Sequence, residues 1–358
     1  MRKILLGIAG LLSAIFISIV ITGCGGGGGA SAPAALNGVQ MGGGYQGTVL
    51  NGTTVSTFAG SGNANSTDGP ATTASFYQPF GITSDGYNLY VAEQSSNKIR
   101  KIVISTGAVT TIAGSGTAGS TDATGIAASF NQPWGITTDG TNLFVADTIN
   151  NKIRKIVIST GVVTTFAGSG TAGSTDATGI AATFSHPDGI TTDGTNLFVT
   201  DSTNNKIRKI VIATGAVTTF AGSGTAASGD GTGIGASFNT PMGITTDGTN
   251  LYVTDSGSHR IRKVVISSAV VTTLAGSGTA GSGNGTGTAA SFNQPSGITT
   301  DGTNLYVTDY GNNMIRKIVI STAAVTLFSG TGLQGQSNGG LLVSSYWSPA
   351  AITSDGSA

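Results

Sequence analysis

Residues 109–162 read VTTIAGSGTAGSTDATGIAASFNQPWGITTDGTNLFVADTINNKIRKIVISTGV, and this stretch decides the fold because it recurs at a constant spacing of 54 residues. Val55, Val109, Val163, Val217, Val271 and Val325 each open a near-identical copy. A period of this length marks an array of small supersecondary units, each burying its faces against its neighbours. Within the copy the turn signals divide four strands. Strand A is expected over Gly135 to Asp139, B over Asn142 to Asp147, C over Lys152 to Ser159, and D over Val162 to Gly168. Asp139-Gly140 and Thr160-Gly161 supply tight turns, and Asn150-Asn151 sits where positive φ is tolerated. The runs LFV and KIVI suit strands buried on both faces. Phe76, Phe130, Phe184, Phe238, Phe292 and Tyr346 recur near the end of each Gly- and Ser-rich connection, as packing anchors would. Four short antiparallel strands per unit describe a β-propeller blade. A β-solenoid would need a sub-period of about 18 residues, and the copies show none.

Composition agrees. The chain has 358 residues, 58 of them Gly, and only 9% are charged. Sixteen basic residues cancel sixteen acidic ones, so bulk charge gives no reason to expect nucleic acid. After Arg2 and Lys3, every basic residue falls in strand C of a copy, as in Lys152, Arg154 and Lys155. Acidic residues such as Asp139 and Asp147 lie on adjoining strands, and pairing within the blade is the expectation.

The N-terminus reads differently. Met1-Arg2-Lys3 is a positive n-region, and Ile4 to Ile21 is an apolar stretch. The segment Ile21-Thr22-Gly23-Cys24 resembles a bacterial lipobox, which implies cleavage before Cys24 and a lipid on that single cysteine. An uncleaved membrane anchor is the alternative. Gly25 to Gly29 reads as a flexible tether. The expected organisation is a lipoprotein signal peptide over 1–23, a lipidated Cys and Gly-rich tether over 24–44, and a propeller over 45–358 with an incomplete last blade. The lipid would bring the membrane as a partner, at the cell envelope outside the cytoplasm. Gly25 stands where an Asp would mark inner-membrane retention, which points toward the outer membrane or cell surface.

The pattern P-x-G-I-T-x-D-G-x-N-L-Y/F-V-x-D, then N-N-K-I-R-K, then V-T-T-x-A-G, resembles the NHL repeat over about Gly44 to Gly356. The resemblance implies a β-propeller and leaves function open, since NHL propellers include enzymes, RNA binders and protein-binding platforms. Complete copies begin near Pro79, Pro133, Pro187, Pro241 and Pro295. A sixth begins at Pro349 and ends with strand A at Ala351 to Asp355. Tyr45 to Leu50 aligns with strand C, and Thr53 to Gly60 with strand D. A six-bladed ring closed by sharing strands between the termini, with one strand B absent, is therefore expected; a longer parent chain with more blades is the alternative.

No catalytic set, metal site or cofactor is expected. His186 replaces a Gln found in other copies, and His259 replaces an Asn. The resemblance extends to amidating lyases that hold zinc through several histidines, which two histidines in unlike positions do not reproduce. A lactonase-type site needs Glu, Asn and Asp on one ion, and the only glutamate, Glu93, stands where other copies have Asp147, Asp201, Asp255 and Asp309. Those acids, each followed by an Asn and an Arg, read as a repeated hydrogen-bond network. The positions that vary amid constant neighbours are the informative ones. After the strand A proline come Phe80, Trp134, Asp188, Met242, Ser296 and Ala350. After strand B come Gln94, Thr148, Ser202, Ser256 and Tyr310. An exposed apolar patch of Phe80, Trp134, Met242 and Tyr310 beside Asp188 is the expected ligand site. The function expected is non-catalytic binding of a protein, glycan or small molecule. A propeller enzyme of lyase or lactonase type, or a structural or adhesive surface protein, is the competing reading.

Overall fold

The computed structural model describes residues 3–8, 16–20 and 54–354, the first two segments through their backbone pairing alone. Five blades follow one another. Blade 1 has strands A to D at Pro79–Ser84, Asn88–Glu93, Lys98–Val103 and Val109–Ala113. Blade 2 has them at Pro133–Thr138, Asn142–Asp147, Lys152–Val157 and Val163–Ala167. Blade 3 uses Pro187–Thr192, Asn196–Asp201, Lys206–Val211 and Ala216–Ala221. Blade 4 uses Pro241–Thr246, Asn250–Asp255, Arg260–Val265 and Val270–Ala275. Blade 5 uses Pro295–Thr300, Asn304–Asp309, Met314–Val319 and Ala324–Ser329. Each of these five blades is an antiparallel meander in the order A-B-C-D, and in blades 3, 4 and 5 a two-residue strand of the preceding connection (Ala177–Thr178, Gly231–Thr232, Gly285–Thr286) pairs with strand D. Each expected strand is present in blade 2, with bounds shifted by up to two residues.

The A strands pack side by side around the axis, and Gly135 is what lets them. A side chain there would collide with the Asp188 carbonyl of the next A strand, and Gly81, Gly189 and Gly243 face the same constraint. The hydrophobic core is correspondingly a set of layers between blades. Tyr90, Ala92, Ile99 and Ala113 of blade 1 pack on Phe130, Ile136, Leu143, Val145 and Ile156 of blade 2, and the pattern repeats around the ring. Strand B is buried on both faces, which explains its uninterrupted apolar run.

The expected six repeat-built blades are corrected to five. The remaining sheet is assembled from distant segments in the order Gly339–Gly340, Thr54–Thr57, Phe16–Val20, Lys3–Ile8, Pro349–Ser354. Pro349–Ser354 forms one edge of this sheet, and Thr54–Thr57 lies next to Gly339–Gly340 at the other. Lys3–Ile8 pairs with Pro349–Ser354, and Phe16–Val20 pairs with Thr54–Thr57. The B place expected to be vacant is thus paired. The residues 45–50 expected in the C place lie outside the described residues, as do Cys24 and the tether.

The acids and arginines of each copy form one network. In blade 2 the Arg154 guanidinium is fully buried. Its Nη1 donates to Asp147 at 2.8 Å and to the Ser129 carbonyl at 3.0 Å. Its Nη2 donates to Asp122 at 2.6 Å and to the Thr121 carbonyl at 3.0 Å. Its Cζ lies 5.1 Å from the centroid of the Phe130 ring. Asp147 also accepts the Asn131 backbone N–H and the Asn150 side-chain amide. Asp122 in turn accepts the Thr165 N–H of strand D. One guanidinium therefore ties the end of strand B, the inter-blade loop and strand D together. Arg100, Arg208, Arg262 and Arg316 repeat the arrangement over Phe76, Phe184, Phe238 and Phe292. The expectation for Asp147 and its counterparts holds. That for Asp139 does not: it accepts the Thr141 and Asn142 N–H groups and shapes the A–B turn. The second acid is Asp68, Asp122, Asp176 or Asp230, with Asn284 in its place beneath Arg316.

Removing one partner of a buried pair leaves the other charge uncompensated, at a cost of about 3–5 kcal/mol. Arg208→Ala is expected to lower unfolding free energy by that amount in urea denaturation. Asn284→Asp adds only a half-exposed ion pair and is expected to raise stability by about 1 kcal/mol or less.

Candidate functional site at the channel mouth

Strand A of each blade opens with a register shift. In blade 2, Pro133 pairs with Asp147 but the next pair is Ile136 with Val145, so Trp134 and Gly135 lie in a bulge. Bulges redirect a side chain relative to the sheet. Here the redirected residue is the one that varies among copies, and it stands at the axial end of the ring. Because the proline of strand A faces the last residue of strand B, the two variable sets meet within each blade: Trp134 beside Thr148, Asp188 beside Ser202, Met242 beside Ser256, Ser296 beside Tyr310.

Part of both sets lines a cavity of about 330 Å³ bounded by Phe80, Trp134, Thr240, Met242, Ser256, Gly257, Gln294, Ser296 and Tyr310, whereas Thr148, Asp188 and Ser202 lie outside its lining. Phe80 and Trp134 come from adjacent blades and form a tilted aromatic pair, with centroids 4.0 Å apart and planes at 42°. Four of the five expected site residues thus share one cavity. They are half-buried rather than exposed, because the walls of the mouth shelter them. Thr240 and Gln294 were not foreseen, although their position was already variable: Gln78, Gln132, His186, Thr240 and Gln294 occupy it in turn.

Asp188 departs further from expectation. It lies between Trp134 and Met242 in ring order but is buried, at 5% exposure. Burial pushes its carboxyl up to about 7, a Ser202 hydrogen bond offsets part of that, and the Asp201 carboxylate adds to it. Its contrast with the neighbouring carboxylates is sharp. Glu93, Asp147, Asp201, Asp255 and Asp309 each have an arginine nitrogen within 3.0 Å. No arginine is paired with Asp188 among the described ion pairs.

The two histidines occupy left-handed backbone positions, and His259 also holds a neighbouring N–H. His186 and His259 both hold φ near 50°, at 52° and 55°, like the Gln and Asn residues they replace. His259 Nδ1 accepts the Gln294 N–H at 3.0 Å, just as Asn205 Oδ1 accepts the Thr240 N–H at 2.8 Å. Among the described residues no three His, Cys, Asp or Glu side chains converge as a metal site would require.

Comparison with known proteins gives relatives and fold neighbours. The chain is 31% identical over 309 residues to NHL repeat-containing protein 2 of Bos taurus, covering 75% of this chain and 42% of that protein. It is also 31% identical over 282 residues to the chloroplastic protein SUPPRESSOR OF QUENCHING 1 of Arabidopsis thaliana, covering 72% of this chain and 26% of that protein. The chain therefore spans less than half the length of these relatives. No family model matches it. Among solved structures, a protein of unknown function from Bacteroides thetaiotaomicron superposes with a TM-score of 0.65 at 20% identity, over 86% of this chain and 74% of that one. An auxiliary nutrient binding protein from the same organism superposes at 0.63 and 16% identity, over 83% and 70%. At these identities the structures share the propeller fold.

The raised Asp188 proton affinity has a consequence for stability. The carboxyl holds its proton more tightly folded than unfolded, so folding stability falls as pH rises from about 4, the unfolded value, to about 7. Asp188→Asn removes that loss. The variant is expected to match the parent near pH 4 and to exceed it at pH 8 by up to ~4 kcal/mol in urea denaturation. A difference that is the same at both pH values would contradict the burial argument.

Proposed function

Because the chain is an NHL-repeat β-propeller, we propose that it is a non-catalytic ligand-binding propeller, and that Phe80, Trp134, Met242 and Tyr310 form its binding surface. One observation carries this reading. Positions that differ from copy to copy, while their neighbours stay constant, come together around a single cavity of about 330 Å³. That volume lies within the range of small-molecule sites, and its mixed apolar and hydroxyl lining is of the kind such sites use. Packing demands alone would be the same in each blade and would favour the same residue in each.

The anchoring part of the proposal rests on residues 1–24. Their charge, apolar run and Cys24 support a bacterial lipoprotein tethered at the cell envelope. Cleavage before Cys24 would take Lys3–Ile8 and Phe16–Val20 out of the composite sheet, leaving the facing edges of Thr54–Thr57 and Pro349–Ser354 to be paired by another segment.

Two experiments address the two parts. In a thermal-shift panel of sugars, amines and short peptides, any compound that raises the melting temperature is expected to bind Trp134→Ala at least tenfold more weakly, a hot-spot-sized loss. Unaltered binding to that variant would move the site elsewhere. In bacterial cells, Cys24→Ser is expected to abolish incorporation of labelled palmitate and to release the protein from the membrane fraction. Labelling that persists in the variant would remove the lipoprotein reading.

A further inference from the structure

We infer that the mouth selects a small organic cation, an amine or quaternary ammonium with an apolar body, received by the aromatic faces of Trp134 and Tyr310 with Asp188 as its counter-charge. This deepens the binding-site reading above and rests on it. The first ground is geometry. Three aromatic rings and a methionine sulfur line one cavity, and a carboxyl stands in the same ring of bulges, between two of the residues that line it. Aromatic faces attract cations through the ring quadrupole, and the attraction strengthens where water is excluded.

The second ground is charge. No lysine or arginine lines the cavity. The basic side chains that begin strand C at this end of the blades are held outward by the inter-blade loops: Lys152 by Ser120, Lys206 by Ser174, Arg260 by Ser228. The five arginines of the blade networks are fully buried against their own acids. Among the acids that end strand B or stand at the strand A bulge of the five blades, Asp188 alone has no arginine among the described ion pairs, and its sign disfavours an anion. A neutral ligand would leave that carboxyl buried and uncompensated, whereas a cation lodged in the mouth supplies the partner that burial withholds.

The groups around Asp188 sharpen the pH dependence. Strand A of blade 2 and strand A of blade 4, which flank it, carry no titratable side chain. Strand B of blade 2 brings Asp147, paired with Arg154, and its own blade brings Asp201, paired with Arg208, and the solvent-exposed His186. Raising the pH from 6 to 8 ionises Asp188 and so favours a cation. His186 is exposed in the same blade, so its contribution is separated by substitution.

The test is titration calorimetry on the full chain with choline and phenyltrimethylammonium. The controls are 3,3-dimethylbutanol, which is the uncharged counterpart of choline, and cellobiose. We expect the ammonium compounds to bind at least tenfold more tightly than 3,3-dimethylbutanol, and about tenfold more tightly at pH 8 than at pH 6. Asp188→Asn, which keeps shape and loses charge, abolishes that pH dependence, whereas His186→Gln retains it. Equal binding of the charged and uncharged compounds overturns the inference, as does a pH dependence that survives Asp188→Asn. Binding of cellobiose alone, lost in Trp134→Ala, leaves the site in place and overturns the cation. If no probe binds, the cation inference fails. The site itself fails only if ligands from the thermal-shift panel also bind Trp134→Ala unchanged.

Discussion

A single buried guanidinium per blade organises the top of this propeller. Arg154 reaches the carboxylate closing strand B, two loop carbonyls and a loop carboxylate that itself clasps strand D. A lysine could not do this. Its point charge lacks the planar fork that addresses two directions at once, and it could not lie flat over Phe130. Even so, the Nε of each of the five arginines is buried without a partner. The network is stabilising only as a whole, and its main structural effect is to fix the long Gly- and Ser-rich connection. That tie acts together with Ala128 and Phe130 near the end of the connection, which are fully buried in the inter-blade core.

Fixing the loops also fixes the mouth. The loop delivers the chain to the proline of strand A and the bulge that follows it, where the variable residue of each blade sits. In blades 3, 4 and 5 a threonine locks this arrangement between blades. Thr200 accepts the Gly189 N–H at 2.7 Å and donates to the Met242 carbonyl at 2.6 Å, and Thr254 does the same for Gly243 and Ser296. Blades 1 and 2 have Ala92 and Ala146 there, so this bond is missing where Phe80 and Trp134 stack. In blade 2, Thr148 instead reaches the Pro187 carbonyl at 2.8 Å. The aromatic pair thus stands where the polar latch is absent, and ring-on-ring contact holds the two inner strands at that seam.

What the sequence made legible follows from what repeats. Strand positions, the anchoring role of Phe130 and its counterparts, and the Asp147–Arg154 pairing all derive from local pattern, and the structure agrees. Two kinds of information escaped. One was the choice among equivalent partners: Asp139 and Asp122 are both acids near a strand, and only the fold shows that Asp139 faces a turn while Asp122 faces the guanidinium. The period did carry a signal, because Asp68, Asp122, Asp176 and Asp230 recur 54 residues apart. The other was assembly across sequence distance. Nothing in the copies themselves assigns Lys3–Ile8 and Phe16–Val20 to the sheet between Thr54–Thr57 and Pro349–Ser354. Likewise, the variable position after the strand A proline reads as exposed from the pattern, and only the fold shows Asp188 buried there.

That burial bears on whether the variation at the mouth is drift. Copies of a repeat that diverge without constraint accumulate substitutions the packing tolerates, such as Ser296 or Ala350 at this same position. Asp188 is of a different kind. It is a buried carboxyl without the arginine that every strand B acid of the five blades possesses, its proton affinity raised by that burial. Each ionisation there works against folding. A residue that weakens the scaffold in the blade next to the Phe80–Trp134 pair departs from the internal consistency the rest of the copy displays. Departures of that kind concentrate where a chain does something besides fold. The buried arginines supply the rigidity within which blade 3 can hold such a carboxyl without losing its shape.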